Sequence, residues 1–206
     1  MPLQNRVDPY GAIFASPSRG TFMGNRGGAL HNGQREIVRK YASRRWITCL
    51  LEFKGRHRFV MSPGRYTELF FLDEAVALAA GHRPCAECRR ERFNAFKAAW
   101  TPSGDPRAVL ADEMDSVLHP TRIDRRGGKV TYRARVNSLP DGSLVQMDGF
   151  SYLVCGDALF LWSAAGYVEK RQRPKNLTVE VLTPEPIVRC LRRAYRPEIH
   201  QSSLAL

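Results

Sequence analysis

Two cysteines separated by two residues, Cys85 and Cys88, constrain the fold of this chain more than any other feature. The pair follows Gly81 and Pro84 and lies at the start of a predicted helix. The short backbone between them can therefore fold into a tight turn that aims both sulfurs at one ion about 2.3 Å away. A redox pair or a chance spacing has the same pattern. The spacing predicts half of a tetrahedral zinc site, and the rest of the chain must supply two more ligands.

The third ligand is predicted to be Cys49, because it is the one cysteine that precedes the pair. Cys155 and Cys190 lie in apolar contexts, where a buried and inert cysteine is expected. Cys49 itself lies in a predicted strand, so a plain core residue is the alternative. An odd total of five cysteines in a chain of this size argues against a disulfide scaffold.

The fourth ligand is predicted to be a histidine, and the candidates are His31, His57 and His82. His82 is too close in sequence to Cys85 to reach the same ion easily, and His57 lies in a run of charged residues. His31 follows a Gly-rich turn and a short apolar segment, which places it at a strand end. We therefore predict His31, with a capping or surface histidine as the alternative.

The charge of the chain is strongly and unevenly positive. It has 32 Lys and Arg against 20 Asp and Glu, and residues 1–100 contain 17 of the former against 8 of the latter. Such a surface attracts polyanions, and the binding weakens with salt. We predict nucleic acid as the partner, and a merely solvated basic face is the alternative. The candidate phosphate contacts are Arg83, Arg89, Arg90, Arg92 and Lys97.

Length and hydropathy indicate one or two folded domains. The chain has 206 residues, of which 43% are hydrophobic, so it can bury a real core. No apolar run approaches the roughly 18 residues that span a bilayer, and the first ten residues lack the apolar region of a signal peptide. These patterns predict a cytoplasmic protein without a membrane partner.

The pattern of elements predicts an α+β protein in two parts. Residues 1–20, rich in Pro, Gly and Ser, are predicted to form an N-terminal arm. Residues 21–100 are predicted to form a small zinc-stapled α+β module, and residues 105–206 an α+β domain with a β-meander. The predicted strands are 46–53, 59–61, 67–72, 129–136, 144–147, 150–155, 158–162 and 177–182, and the predicted helices are 74–80, 86–100, 105–118 and 185–195.

Residues 70–88 resemble a known family. Their sequence pattern is Phe70-Phe71-x-x-Glu74-Ala75-x-x-Leu78-Ala79-Ala80-Gly81-x-Arg83-Pro84-Cys85-x-x-Cys88, which is similar to the second half of the Ada-type zinc-binding domain. That domain is the methyl-accepting module of a bacterial alkylation-response protein. Gly24-Asn25-Arg26, followed by His31, resembles the opening of Ada-like modules attached to some nucleases. The resemblance covers residues 22–92 and implies a zinc module that contacts DNA, with Cys49, Cys85, Cys88 and His31 as ligands.

The chain departs from the methyl-accepting members of that family, which carry an upstream Cys-x-x-x-Cys where this chain has Cys49 alone. The interval from His31 to Cys49 is also longer than in the nuclease-linked members. Three sulfurs and one nitrogen carry less negative charge than four thiolates, so each thiolate is a weaker nucleophile. We therefore expect a structural zinc and a role in DNA binding, repair or processing rather than methyl transfer. A structural zinc in a protein-interaction module is a further alternative.

An acidic segment in the C-terminal half leaves open whether the chain is an enzyme. Asp112, Asp115 and His119 recur at steps of three and four, which places them on one face of a helix. Such a set can hold Mg²⁺ or Mn²⁺ for phosphodiester cleavage, so a metal-dependent nuclease is the alternative function. A solvated acidic helix face explains the same spacing.

Overall fold

A computed structural model of the chain describes residues 1–56 and 59–206. It has both helices and sheets, so the predicted α+β class is confirmed. The predicted candidate ligand His57 lies outside the described residues. In chain order the elements are β1 (Gln4–Val7), β2 (Ile13–Ala15), β3 (Phe22–Asn25), β4 (Ile47–Cys49), β5 (Leu69–Phe71), α1 (Glu74–Ala79), β6 (Arg83–Pro84), α2 (Arg90–Trp100), α3 (Ala111–Arg122), β7 (Tyr132–Arg135), β8 (Leu144–Met147), β9 (Phe150–Cys155), β10 (Ala158–Ser163), β11 (Gly166–Gln172), β12 (Thr178–Val181) and α4 (Glu185–Arg192).

The strands form two six-stranded sheets. The first has the order β2-β1-β5-β3-β4-β6 and is mixed, because β1 pairs with β5 and β4 pairs with β6 in parallel. The second has the order β11-β10-β9-β8-β12-β7 and is antiparallel throughout. Two-residue turns at Asp148-Gly149 and Gly156-Asp157 join β8, β9 and β10, so the predicted meander is present. No helix of the described residues has the length and apolar character needed to cross a bilayer.

Three predicted segments differ from the structure. The predicted arm of residues 1–20 is wrong, because β1 and β2 lie inside the first sheet through the pairing of Arg6 with Phe70. Residues 59–61 form no strand, and Met61 has a φ of 54°, which a strand does not allow. The helix predicted from residue 105 begins at Ala111, because the Glu113 carboxylate caps the helix by accepting from the Leu110 N–H at 2.7 Å.

The predicted boundary at residues 101–104 is a surface turn, yet the hydrophobic core continues across it. One buried cluster joins Phe71 and Val76 to Leu144 and Phe160. Another joins Phe96 on α2 to side chains of α3 and α4. Side chains from the two predicted domains therefore bury one another, which fixes the C-terminal half against the cysteine-bearing half.

Helix α1 lies at the centre of this packing, and all six of its residues are buried. Its N-cap Asp73 accepts a hydrogen bond from the Val76 N–H at 2.9 Å. The second oxygen of Asp73 accepts from the Tyr167 hydroxyl at 2.8 Å and from the His200 N–H at 3.0 Å. One helix cap therefore ties α1 to the second sheet and to the C-terminal segment.

Glu74 begins α1 with a fully buried carboxylate that has four partners. Arg89 and Arg92 pair with it at 3.0 and 2.9 Å, and the Tyr195 hydroxyl donates to it at 2.5 Å. The Glu198 N–H also donates to it, at 2.9 Å. Burial alone raises the pKa of Glu74, but the charge of Arg89 and the hydrogen bonds from Arg89 and Tyr195 outweigh it and lower the pKa. The ionised carboxylate therefore stabilises the fold at neutral pH.

We expect Glu74→Gln to lower the free energy of unfolding by about 3–5 kcal/mol, because it removes the buried counter-charge of Arg89 and leaves only the exposed carboxylate of Glu198. Urea unfolding at neutral pH measures this. A carboxylate with a lowered folded pKa stabilises above its ordinary pKa and loses that contribution as the pH falls through the folded value. The difference between the variant and the wild type should therefore shrink on acidification below the ordinary value of 4.5.

Glu185→Gln is the matched control, since Glu185 is 62% exposed and pairs with Arg189 on the next turn of α4. It should change the free energy of unfolding by less than about 0.5 kcal/mol. Equal effects of the two substitutions would show that the Glu74 network does not hold the fold together.

Candidate metal centre

The parallel pair β4–β6 positions the predicted cysteines. Ile47 lies opposite Arg83 and Thr48 opposite Pro84, so the two strands end side by side. Cys49 is the last residue of β4, and Cys85 follows β6 directly and donates its backbone N–H to Thr48 O at 2.9 Å. Cys88 closes the turn before α2. The structure therefore brings the three predicted cysteines to one point.

The three Sγ atoms all lie within 4.8 Å of one another. Sulfurs bound to one tetrahedral zinc at about 2.3 Å lie roughly 3.8 Å apart, so the cluster fits such an ion. Cys49 and Cys85 are buried beside Met23, while Cys88 is partly exposed. The Glu87 N–H donates to Cys85 Sγ at 3.4 Å, the kind of contact that stabilises a thiolate.

The thiols of this cluster titrate together. Hydrogen bonds first from Cys49 and then from Cys88 lower the pKa of Cys85, and the contact with Cys85 raises the pKa of Cys49. Three sulfurs thus compete for protons in a partly buried space, and a divalent cation can replace those protons. The donor set of three sulfurs suits a soft or borderline metal and does not suit Mg²⁺ or Ca²⁺.

His31 is not part of the cluster. It is buried, its Nδ1 lies 2.6 Å from Thr67 Oγ1, and its Nε2 lies 3.2 Å from Ser62 O. Both ring nitrogens are thus engaged in tying two loops together, which corrects the assignment of His31 as a metal ligand. His82 is buried elsewhere, with Nε2 accepting from Arg26 Nε at 3.2 Å.

The acidic set on α3 does not form a site either. Asp112 pairs with Arg45 at 2.8 Å on the surface, whereas Asp115 is buried and pairs with Arg83 at 2.7 Å. His119 packs edge-on against Tyr41, with ring centroids 5.0 Å apart. The cysteine cluster is the only group of potential metal ligands found among the described residues. The acidic residues whose spacing favoured a nuclease therefore belong to two separate ion pairs.

Some of the predicted phosphate contacts are internal. Arg83 and Arg89 are buried, and Asp115 and Glu74 respectively neutralise their charge. Arg92 is one-third exposed and also pairs with Glu74. The assignments of Arg83 and Arg89 are corrected, because a buried guanidinium cannot reach a phosphate at the surface, whereas that of Arg92 stays a prediction. Arg90 is exposed and Lys97 is half-buried, so these two stay predictions.

The structure also groups cationic residues that sequence spacing did not single out. The Arg26 and Arg122 guanidinium carbons lie 4.0 and 4.2 Å from the Trp46 ring, at the end of β4 opposite to Cys49. Lys129 lines the same region. These residues are separated by up to 103 positions in the chain, so no local pattern could reveal the group.

No family model, curated protein or solved structure matches this chain. The resemblance of residues 70–88 to Ada-type zinc-binding domains therefore stays a prediction. What the structure adds is a three-cysteine cluster able to hold a metal ion.

We expect the purified protein to contain about one zinc per chain, and Cys49→Ser or Cys85→Ser to lose most of it. Elemental analysis of the protein after dialysis measures this. Cys155→Ser is the matched control, because Cys155 is exposed on β9 and outside the cluster. His31→Ala should keep its metal. If His31→Ala loses the metal while His57→Ala keeps it, His31 is a ligand as the sequence predicted.

Proposed function

We propose that this protein is a zinc-containing nucleic-acid-binding protein whose metal holds a basic surface in shape, with DNA as the nucleic acid. The observation that carries the proposal is a set of exposed cations with almost no acidic partners. We call the residues 35–45 and 125–126 the basic surface. Its exposed cations are Arg35, Arg39, Lys40, Arg44, Arg45, Arg125 and Arg126.

Ion pairing leaves most of this charge available. Within the described part of the chain, only Arg45 of these cations pairs with a carboxylate, that of Asp112. Lys40 donates to Gly127 O at 2.6 Å, which joins the two segments of the basic surface. Phosphates bind well to such clusters of exposed Lys and Arg, and release of counterions drives the association.

The basic surface is anchored to the strands that carry the metal cluster. The Ala42 and Ser43 N–H groups donate to Arg26 O at 2.9 and 3.0 Å, just beyond β3. Trp46 Nε1 donates to Ser43 O at 3.1 Å, just before β4. A metal that clamps the end of β4 to the turn after β6 therefore supports the framework on which this surface is displayed. This is a structural role for zinc, with no reaction at the metal.

The family resemblance supports the choice of zinc and of DNA, because Ada-type modules hold zinc and contact DNA. A role in DNA repair or processing rests on that resemblance alone. The three-sulfur cluster also supports a structural site over methyl transfer, since three zinc-bound thiolates carry less negative charge than the four thiolates of a methyl-accepting site, which makes each a weaker nucleophile. A protein-interaction module with a structural zinc is the competing interpretation.

We expect the double variant Arg44→Gln/Arg125→Gln to bind duplex DNA more weakly and to lower the slope of log Kd against log salt by about two units. Fluorescence anisotropy of a labelled duplex at several salt concentrations measures both. Each lost phosphate contact releases about one counterion fewer, which is the reason for the size of the change.

Arg107→Gln/Lys175→Gln is the control, since both residues are exposed outside the basic surface and the charge removed is the same. A similar loss in the control would show that net charge alone drives binding. Absence of binding to DNA and to RNA at low salt would refute the nucleic-acid proposal and favour the protein-interaction module.

A further inference from the structure

A cavity of about 580 Å³ lies between residues 10–13, 37–40 and 122–129. Its walls combine two kinds of side chain. One part is apolar and includes Ile13, Ile37 and Val38, and the other part contains the cations Arg26, Arg122 and Lys129. A volume of this size matches the pockets that hold cofactors and other small organic molecules.

Arg26 is fully buried at the base of the cavity, although all its hydrogen-bond partners are uncharged. Nη2 donates to Gly11 O at 2.8 Å, Nη1 donates to Lys40 O at 3.1 Å, and Nε donates to the imidazole of His82. The guanidinium also lies over the ring of Trp46. The contacts position Arg26 firmly but leave its charge without a counter-charge.

Arg122 and Lys129 are in the same situation. Arg122 donates to Gly81 O at 2.8 Å and to Arg44 O at 2.5 Å, and its Nη2 also lies 3.4 Å from His119 Nδ1. No hydrogen-bond partner of its buried Nε is found among the described residues. Lys129 is half-buried, and its ammonium group donates to the carbonyl of Ala79. Backbone carbonyls again supply the partners, and no ion pair of Arg26, Arg122 or Lys129 is found within the described residues.

Two carboxylates lie close enough to influence these cations, and neither forms an ion pair with them in the described part of the chain. Asp115 is committed to Arg83. Asp8 accepts from the Ala12 N–H at 2.9 Å, and burial raises its pKa. Burial is also the main cause that lowers the pKa of Arg26 and of Arg122 to about 9, and that of Lys129 to about 7. The cavity is therefore a positively charged space whose cations lack direct counter-ions.

An uncompensated buried cation costs several kcal/mol, and proteins ordinarily pair it or leave it exposed. Two buried cations and one half-buried cation around one cavity indicate that the counter-charge arrives with a ligand. Guanidinium and ammonium groups together are typical of phosphate recognition. The apolar wall adds a requirement that inorganic phosphate does not meet, namely an apolar group beside the anionic group.

We propose that this cavity binds one nucleoside monophosphate, with the phosphate towards Lys129 and Arg122 and the base against Ile13, Ile37 and Val38. The nucleotide has two possible sources, a free mononucleotide or a terminal or unstacked nucleotide of a nucleic-acid strand. The second source rests on the proposed function, because the exposed cations Arg39 and Lys40 line both the cavity and the basic surface. The first source does not depend on it.

Isothermal titration calorimetry on the full, metal-containing chain tests the proposal with AMP, GMP, CMP and UMP, each titrated separately. At least one should bind. Adenosine and inorganic phosphate should each bind at least about tenfold more weakly than that nucleotide, because each satisfies only one part of the cavity. Absence of heat with all four nucleotides at millimolar concentration, or equal binding of inorganic phosphate, overturns the proposal.

Two variants connect the binding to this cavity. Lys129→Gln keeps a donor for Ala79 O but removes the charge, and Lys175→Gln removes the same charge from an exposed position outside the cavity. The first should weaken nucleotide binding about tenfold or more, and the second should leave it unchanged within about twofold. Val38→Trp, at a residue that is 61% exposed, should block the cavity without altering its charge. Nucleotide binding that survives both Lys129→Gln and Val38→Trp places the site elsewhere and refutes the inference.

The two sources are distinguished by competition, and the same data separate this inference from the proposed function. If a 5′-phosphorylated oligonucleotide displaces the mononucleotide and its unphosphorylated form does not, the ligand is a strand end. Displacement by both forms identifies an unstacked internal nucleotide. Mononucleotide binding without any binding of DNA or RNA supports the cavity and refutes the proposed function. If no mononucleotide binds and the variants Lys129→Gln and Val38→Trp still bind DNA normally, the proposed function is supported and the inference about the cavity is refuted.

Discussion

The structure depends on the burial of one carboxylate, that of Glu74 at the start of α1. A carboxylate in this position is stable only with cationic partners, and Arg89 and Arg92 of the segment that follows the cysteine pair supply them. The hydroxyl of Tyr195 and the backbone N–H of Glu198 complete its contacts. The cysteine-bearing turn, the central helix and the C-terminal segment are therefore held by one network. The same network explains why Arg89 and Arg92 pair with a buried carboxylate, while Arg90 between them stays exposed.

Strand β4 links the two candidate binding regions. Cys49 ends the strand at the metal cluster, and Trp46 precedes it at the charged cavity, where two guanidinium groups pack on its ring. Its partner β6 has the same arrangement, since Cys85 follows that strand and His82 precedes it. A metal ion bound by the cysteines would fix the register of this short parallel pair, which few backbone hydrogen bonds hold. The metal would thereby position the aromatic and cationic groups at the opposite end.

Local sequence patterns predicted well those features that depend on neighbours in the chain. The spacing of Cys85 and Cys88 indicated a tight turn, and the capping signal at Asp73 predicted α1. Short apolar runs separated by Asp-Gly and Gly-Asp turns predicted the meander. Cys49 joined the cluster as expected. His31 did not join the cluster, because Thr67 and Ser62 contact both its ring nitrogens. A general preference for histidine as the fourth ligand does not indicate where the fold places a particular histidine. The predicted phosphate contacts were partly wrong for a similar reason. The sequence does not distinguish Arg83 and Arg89, which pair with buried carboxylates, from Arg90, which is exposed.

The amino-acid sequence by itself determined the α+β class, the positive charge and the tight turn with two thiols, since each follows from composition or from contacts within a few residues. Only the tertiary structure decided which charges are neutralised inside the fold and which are free. It placed Asp115 against Arg83, and it enclosed Arg26, Arg122 and Lys129 around a cavity without a carboxylate partner among the described residues. The physical reason is that burial and pairing act between residues distant in the chain, and their energies depend on the dielectric surroundings that packing creates.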